Sequence, residues 1–205
     1  IEPSETFNNV VIFNNKGTLT IEGEAEGAID VTGRKAVLSA VENRGGQLNI
    51  TSGRIISNMW GVRALSGTTR ISGGEISVAT NSTQTCAVYV NVGATTEISG
   101  TARISSANVV AEVYGGIMKV SGEAYLSGKF GINLYNSIGE NLSDAEPASL
   151  TMTGGTVEAT YGFALAGNNT MSAKCSAEIT GGVLRSVEDG TGIYWPMEGE
   201  LTIGG

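Results

Sequence analysis

Histidine is missing from all 205 residues, which excludes a Ser-His-Asp triad and any imidazole-ligated metal site. Two cysteines cannot supply the disulfide framework of a small secreted domain. No apolar run approaches the roughly 20 residues of a membrane-spanning helix. Basic residues number 12 against 20 acidic ones, a net charge of -8. Such a surface repels a phosphate backbone and an anionic bilayer, so neither nucleic acid nor membrane insertion is expected. The aspartates are Asp30, Asp144 and Asp189, never adjacent or one residue apart. Prolines number 3, aromatics make up 6% and glycines number 30. That mixture fits short β-strands joined by glycine-rich turns, not helices.

What the chain has is a repeat. Leu48-Asn49-Ile50-Thr51-Ser52-Gly53 recurs as Thr69-Arg70-Ile71-Ser72-Gly73-Gly74, Thr96-Glu97-Ile98-Ser99-Gly100 and Met118-Lys119-Val120-Ser121-Gly122. It recurs again at 150–155, 177–182 and 201–205, with a looser copy at 19–23. The apolar anchors are Ile21, Ile50, Ile71, Ile98, Val120, Met152, Ile179 and Ile203, spaced by 29, 21, 27, 22, 32, 27 and 24 residues. A period near 26 lies in the range of one layer of a repeat protein.

Two further apolar pieces accompany each anchor. One follows the glycine corner, at Ile55-Ile56, Ile76, Ile104, Leu126, Val157 and Leu184. The other has apolar residues two apart, at Val62/Ala64, Val88/Val90, Ala111/Val113, Ile132/Leu134, Phe163/Leu165 and Ile193/Trp195, with Val11/Phe13 before the first anchor. Alternation of this kind marks a strand with one buried face. The sequence therefore predicts an all-β fold, a right-handed single-stranded parallel β-helix of about eight coils, each with three short strands and three corners. Residues 1–205 read as one such domain. Its register is least defined over 22–47. Glycines at 17, 46, 67, 116 and 199 precede their anchors by four residues, where corners call for positive φ.

In this register the middle of the third strand presents Arg63, Tyr89, Glu112, Asn133, Ala164 and Tyr194 outward. The anchor strand presents Thr20, Asn49, Arg70, Glu97, Lys119, Thr151, Glu178 and Thr202, a cross-strand charge ladder. Cys86 and Cys175 fall in phase with inward residues three coils apart, roughly 14 Å at the parallel-strand spacing. A disulfide needs Cα atoms within about 7 Å, so both are expected as unpaired buried thiols. Trp60 and Trp195 read as core or corner fillers.

Excess length marks insertions near 81–85, at 136–147 and at 167–174, the last two on one corner of adjacent coils. Per-repeat insertions often line a binding face, which makes Asn136, Glu140, Asn141, Asp144, Asn168 and Asn169 candidate ligand contacts. The flat third-strand face offers a second set, Arg63, Tyr89 and Tyr194, whose planar groups suit sugars or an interface.

The three-strand coil with its Ser/Thr-Gly-Gly corner resembles right-handed parallel β-helix proteins of the pectate-lyase-like class. The stretch Gly190-Thr191-Gly192-Ile193-Tyr194-Trp195 through Ile203 is similar to repeats of large surface or secreted proteins of anaerobic gut bacteria. The resemblance spans most of residues 10–205. It implies an extracellular, adhesin-like or carbohydrate-binding module that recognises a glycan, or a host protein such as an immunoglobulin. Enzymes of the class use clustered acids for calcium and a basic residue for proton abstraction, and no such cluster is visible here. Glycoside hydrolysis by the usual route needs two carboxylates about 5–10 Å apart, and the third-strand column holds one acid, Glu112. The expectation is a non-catalytic binding module without metal or cofactor. A polysaccharide lyase or glycosidase and a passive stalk are the alternatives. Beginning in a third strand and stopping at Gly204-Gly205 without a polar cap, the chain is expected to neighbour further coils or domains of a longer protein.

Overall fold

The computed structural model describes residues 10–24, 27–33, 38–83, 85–136, 146–167 and 174–205. Among these, strands are the only extended regular elements and no helix occurs. In chain order they are β1 (Val10–Asn14), β2 (Thr18–Ile21), β3 (Ala28–Asp30), β4 (Ser39–Ile50), β5 (Arg54–Ser57), β6 (Trp60–Ile71), β7 (Glu75–Val78), β8 (Cys86–Asn91) and β9 (Ala94–Ile98). There follow β10 (Arg103–Tyr114), β11 (Ile117–Val120), β12 (Tyr125–Tyr135), β13 (Ser149–Ala159), β14 (Leu165–Gly167), β15 (Ser176–Ser186), β16 (Ile193–Tyr194) and β17 (Glu200–Ile203).

All ladders between these strands are parallel and join one 17-stranded sheet. The repeat stacks in the register that the sequence predicts. Ile21, Ile50, Ile71, Ile98, Val120, Met152, Ile179 and Ile203 are successive partners, and the six central ones are buried. The second apolar piece does the same through Ile29, Ile55, Ile76, Ile104, Leu126, Val157 and Leu184. Together with Val41, Val62, Val88, Ala111 and Ile132 the buried members of both stacks form one core cluster, Ile21, Ile29 and Leu184 pack against it, and Ile203 at the end is exposed. Such burial contributes about 25 cal/mol for each Å² of apolar surface removed from water.

The expected right-handed β-helix solenoid of separate three-strand coils is overturned. The all-β expectation stands, but the sheet closes on itself. A ring of seven strands runs β6, β8, β10, β12, β13, β11, β9 and back to β6, a closed parallel barrel. The remaining strands continue the ladders outside it. The physical reason lies in the corners. Several glycine positions read as strand ends are bulges inside strands of 11 or 12 residues. β6 thus pairs with β8 through its first half and with β9 through its second, and this double membership lets the sheet close.

Gly46 and Gly67 show why glycine occupies these bulges. Their φ values are 71° and 74°, in the left-handed region that side chains resist. A Cβ on Gly67 would stand 2.4 Å from the Gly46 carbonyl oxygen. Not every expected position takes this form. Positive φ falls on Lys16 instead of Gly17 and on Gly115 instead of Gly116.

Two register expectations are corrected. In β1 the inward positions belong to Ile12 and Asn14, which pair with Val41 and Asn43, while Phe13 is 48% exposed. The buried Asn14 amide donates to the carbonyls of Gly17 and Gln47, at 3.0 and 3.1 Å, and to Asn43 Oδ1, so the polar residue faces in and Phe13 faces out. In β14 it is Leu165, not Phe163, that follows Ile132 and precedes Ile193. The outward column therefore carries Ala166 in place of Ala164.

Candidate functional site

The outward column of the third-strand ladder begins at Phe13 and continues through Glu42, Arg63, Tyr89, Glu112, Asn133, Ala166 and Tyr194. Its two ends differ. Near Glu42 the residues are engaged with one another. Glu42 is 1% exposed and accepts hydrogen bonds from Arg63 Nη1 at 3.0 Å and from Arg44. The Arg63 guanidinium lies 4.3 Å from the Trp60 ring centre. Trp60 stacks on Tyr89, and Tyr89 stacks on Tyr114, with centroids 5.6 and 6.5 Å apart. This half is a closed array of ion pair, cation–π and stacked rings.

Toward Tyr194 the column opens into a groove. Between Asn133 and Tyr194 the outward residue is Ala166, followed along β14 by Gly167. These small residues leave a depression of about 480 Å³, within the range of small-ligand sites. Phe130, Phe163, Tyr135 and Tyr194 are its aromatic walls, and Glu112 and Asn133 are among its polar groups. Phe163 and Tyr194 lie face to face, centroids 4.6 Å apart and planes 19° apart. Asn133 Nδ2 donates to the Tyr135 hydroxyl at 3.2 Å.

Glu112 is the chemically distinctive group. Among the described residues it makes no ion pair or side-chain hydrogen bond. Desolvation pushes its carboxyl up to about 7, because a low-dielectric surrounding disfavours the charged form. Its neighbours move the same way. Burial raises Tyr89 to about 12 and raises Tyr135. Burial, followed by the Glu112 charge, raises the Cys86 thiol well above its ordinary value. Cys86 and Cys175 are both buried and form no disulfide with each other, but Cys86 lies outside the core cluster that includes Cys175.

The residues nominated from sequence distribute unevenly. Tyr194 lines the groove. Arg63 and Tyr89 share its ladder but belong to the closed array. Asn136 does not line the groove, and its Oδ1 accepts a hydrogen bond from the Cys175 thiol at 3.1 Å. Glu140, Asn141, Asp144, Asn168 and Asn169 lie outside the described residues. Trp195 fills a corner, packed on the core with its indole N–H bonded to the Gly199 carbonyl at 3.0 Å, whereas Trp60 belongs to the outer stack. Sequence reasoning missed Phe130 and Phe163. A signal existed for the first: Trp60-Gly61 and Phe130-Gly131 are aromatic–glycine pairs at the same ladder position. Among the described residues no group of three or more Cys, Asp or Glu side chains comes together as a metal site.

The anchor-strand charge ladder forms as read. Arg70 Nε donates to Glu97 at 2.9 Å and Lys119 Nζ at 3.1 Å. Hydrogen bonding from Lys119 holds the Glu97 carboxyl below its ordinary range. It is an exposed array of modest energetic weight. Comparison with protein-family models, with curated proteins and with solved structures found no match.

Proposed function

We propose that the chain is a non-catalytic binding module whose outer groove takes a saccharide segment of a larger glycan. The observation that carries this reading is the pairing of flat aromatic walls, Phe130, Phe163 and Tyr194, with the polar groups of Glu112 and Asn133 in one open depression. A sugar ring has an apolar face and a hydroxyl rim, and those two kinds of surface match the two kinds of group here. Glu112 is the single carboxyl among the described lining residues, whereas glycoside hydrolysis usually employs a pair, which favours binding over catalysis. The extracellular, bacterial-surface setting of the reading rests on the resemblance of the repeats.

A glycan array probed with the whole chain, followed by calorimetric titration of the best oligosaccharides, tests the proposal. The expected result is saturable binding that Phe163→Ala and Tyr194→Ala each weaken about tenfold, the scale of one lost stacking contact. Binding unaffected by both variants moves the site elsewhere, and absence of binding across the array overturns the reading.

A further inference from the structure

The groove is charge-asymmetric. Among the described residues its lining includes one carboxyl and no lysine or arginine. The basic side chains near it are already engaged by protein groups. Arg63 pairs with Glu42 and covers Trp60. Lys129 Nζ lies 5.6 Å from the Phe130 ring centre and 5.3 Å from that of Tyr161. Glu112 is thus set between Tyr89 and Asn133 on the ladder without a countercharge among the described residues. A half-buried carboxylate without a partner is unfavourable, and a ligand cation would relieve it.

Three saccharide classes are distinguishable on this basis. An acidic sugar would set a second negative charge beside Glu112 in a partly desolvated site. A neutral sugar would satisfy the aromatic walls and leave the carboxyl unpaired. A sugar bearing an ammonium group would meet both the rings and the carboxylate. We infer that the ligand is an amino-sugar oligomer with free, positively charged nitrogen, and that Glu112 is the group that selects it. This inference rests on the saccharide reading of the groove.

The ionisation of the surroundings makes the point testable by pH. The groups around Glu112 are Tyr89 and Cys86 on β8, Tyr114 on its own strand, and Asn133 and Tyr135 on β12, while Arg63 on β6 lies one strand further, beyond Tyr89. Tyr89, Tyr135 and Cys86 are all held upward by burial and stay neutral near pH 7. Glu112, at about 7, is the member of this set that changes charge there.

The experiment is calorimetric titration of the whole chain, in 0.15 M salt, with three tetrasaccharides: N,N,N-trimethylglucosamine with fixed charge, neutral N-acetylglucosamine and anionic glucuronate. At pH 8 the cationic oligomer is expected to bind about tenfold more tightly than the neutral one, and the anionic one most weakly. Lowering the pH to 5.5 protonates Glu112 and erases the difference. Glu112→Gln erases it at every pH, and the pH profile of the unaltered protein makes the same test without a variant. Equal binding of neutral and cationic oligomers at pH 8 overturns the inference while the saccharide reading stands. A cation preference that survives Glu112→Gln reflects the net charge of -8 and also overturns it. Failure of all three oligomers to bind defeats both.

Discussion

Arg63 holds the buried Glu42 carboxylate at 3.0 Å while its guanidinium lies 4.3 Å above Trp60. The two residues come from adjacent strands and face each other in register. Removing Arg63 leaves Glu42, 1% exposed, with Arg44 as its remaining cationic partner. Arg63→Ala is therefore expected to cost about 3 kcal/mol, the scale of a broken buried pair. Glu42→Gln should cost less, because the freed arginine keeps its aromatic contacts. Urea unfolding of the two variants checks the order, and equal costs contradict it.

The anchor stack gives a second expectation. Ile98 is fully buried between Ile71 and Val120. Ile98→Ala should lose about 2–5 kcal/mol through lost burial and the cavity left behind. Ile98→Asp should lose more, since an unpaired carboxyl would enter the core. Thermal melts followed by circular dichroism measure both. An Ile98→Asp protein that melts like its parent would contradict the register.

How far the sequence reaches can be judged at particular residues. The stacking of Ile50, Ile71 and Ile98 is legible because each follows the same alternation and precedes the same small residues. Val10-Val11-Ile12-Phe13 offers no such alternation. Four apolar residues in succession leave the facing parity open, and the buried Asn14 amide settles it. Phe163 reads as core for the same reason, an apolar residue in a strand, yet it walls the groove. The closure of the sheet is not written in the repeat at all. A glycine such as Gly67 ends a strand or bulges one with the same sequence signature, and only the paired backbone on both sides distinguishes the two. Of the site, Tyr194 was legible as outward and polar-tipped. The depression itself depends on Ala166 and Gly167 being small, which the two-residue shift of β14 conceals.

Gly67 supplies a third expectation. Gly67→Ala would place a methyl group 2.4 Å from the Gly46 carbonyl oxygen and hold alanine at φ 74°. Backbone strain of this kind costs about 1–2 kcal/mol before the collision is counted. The variant should melt well below the parent, whereas Gly93→Ala, with positive φ but open space around it, should show the conformational part alone. Comparing the two melting temperatures separates strain from contact.

The pH dependence of stability has a definite sign. The Glu112 carboxyl is raised from 4.5 to about 7 in the folded chain, so the folded state holds its proton more tightly than the unfolded state does. Stability from this group is full below the unfolded carboxylate range and declines as pH rises from about 4.5 to 7. Glu97 and Glu158 act oppositely. Hydrogen bonds from Lys119 and Tyr125 respectively lower their values, so their contribution is present above the ordinary range and lost on acidification. Glu112→Gln should therefore melt higher than the parent at pH 8 and alongside it at pH 4. A parallel offset at both pH values would show that Glu112 is not the titrating group.

The regular pairing of each repeat with its predecessor bears on how the chain is made. Ile50 joins Ile21, Ile71 joins Ile50 and Ile98 joins Ile71, so each new layer closes a loop of similar length and meets a similar entropy cost. A ribosome delivering about 5–20 residues per second supplies one layer every few seconds, and each can dock on a template already in place. During synthesis, until the barrel closes, the open hydrogen-bonding edge travels with the newest repeat. Protection against strand-to-strand aggregation is then needed at one moving front, not along the whole nascent chain.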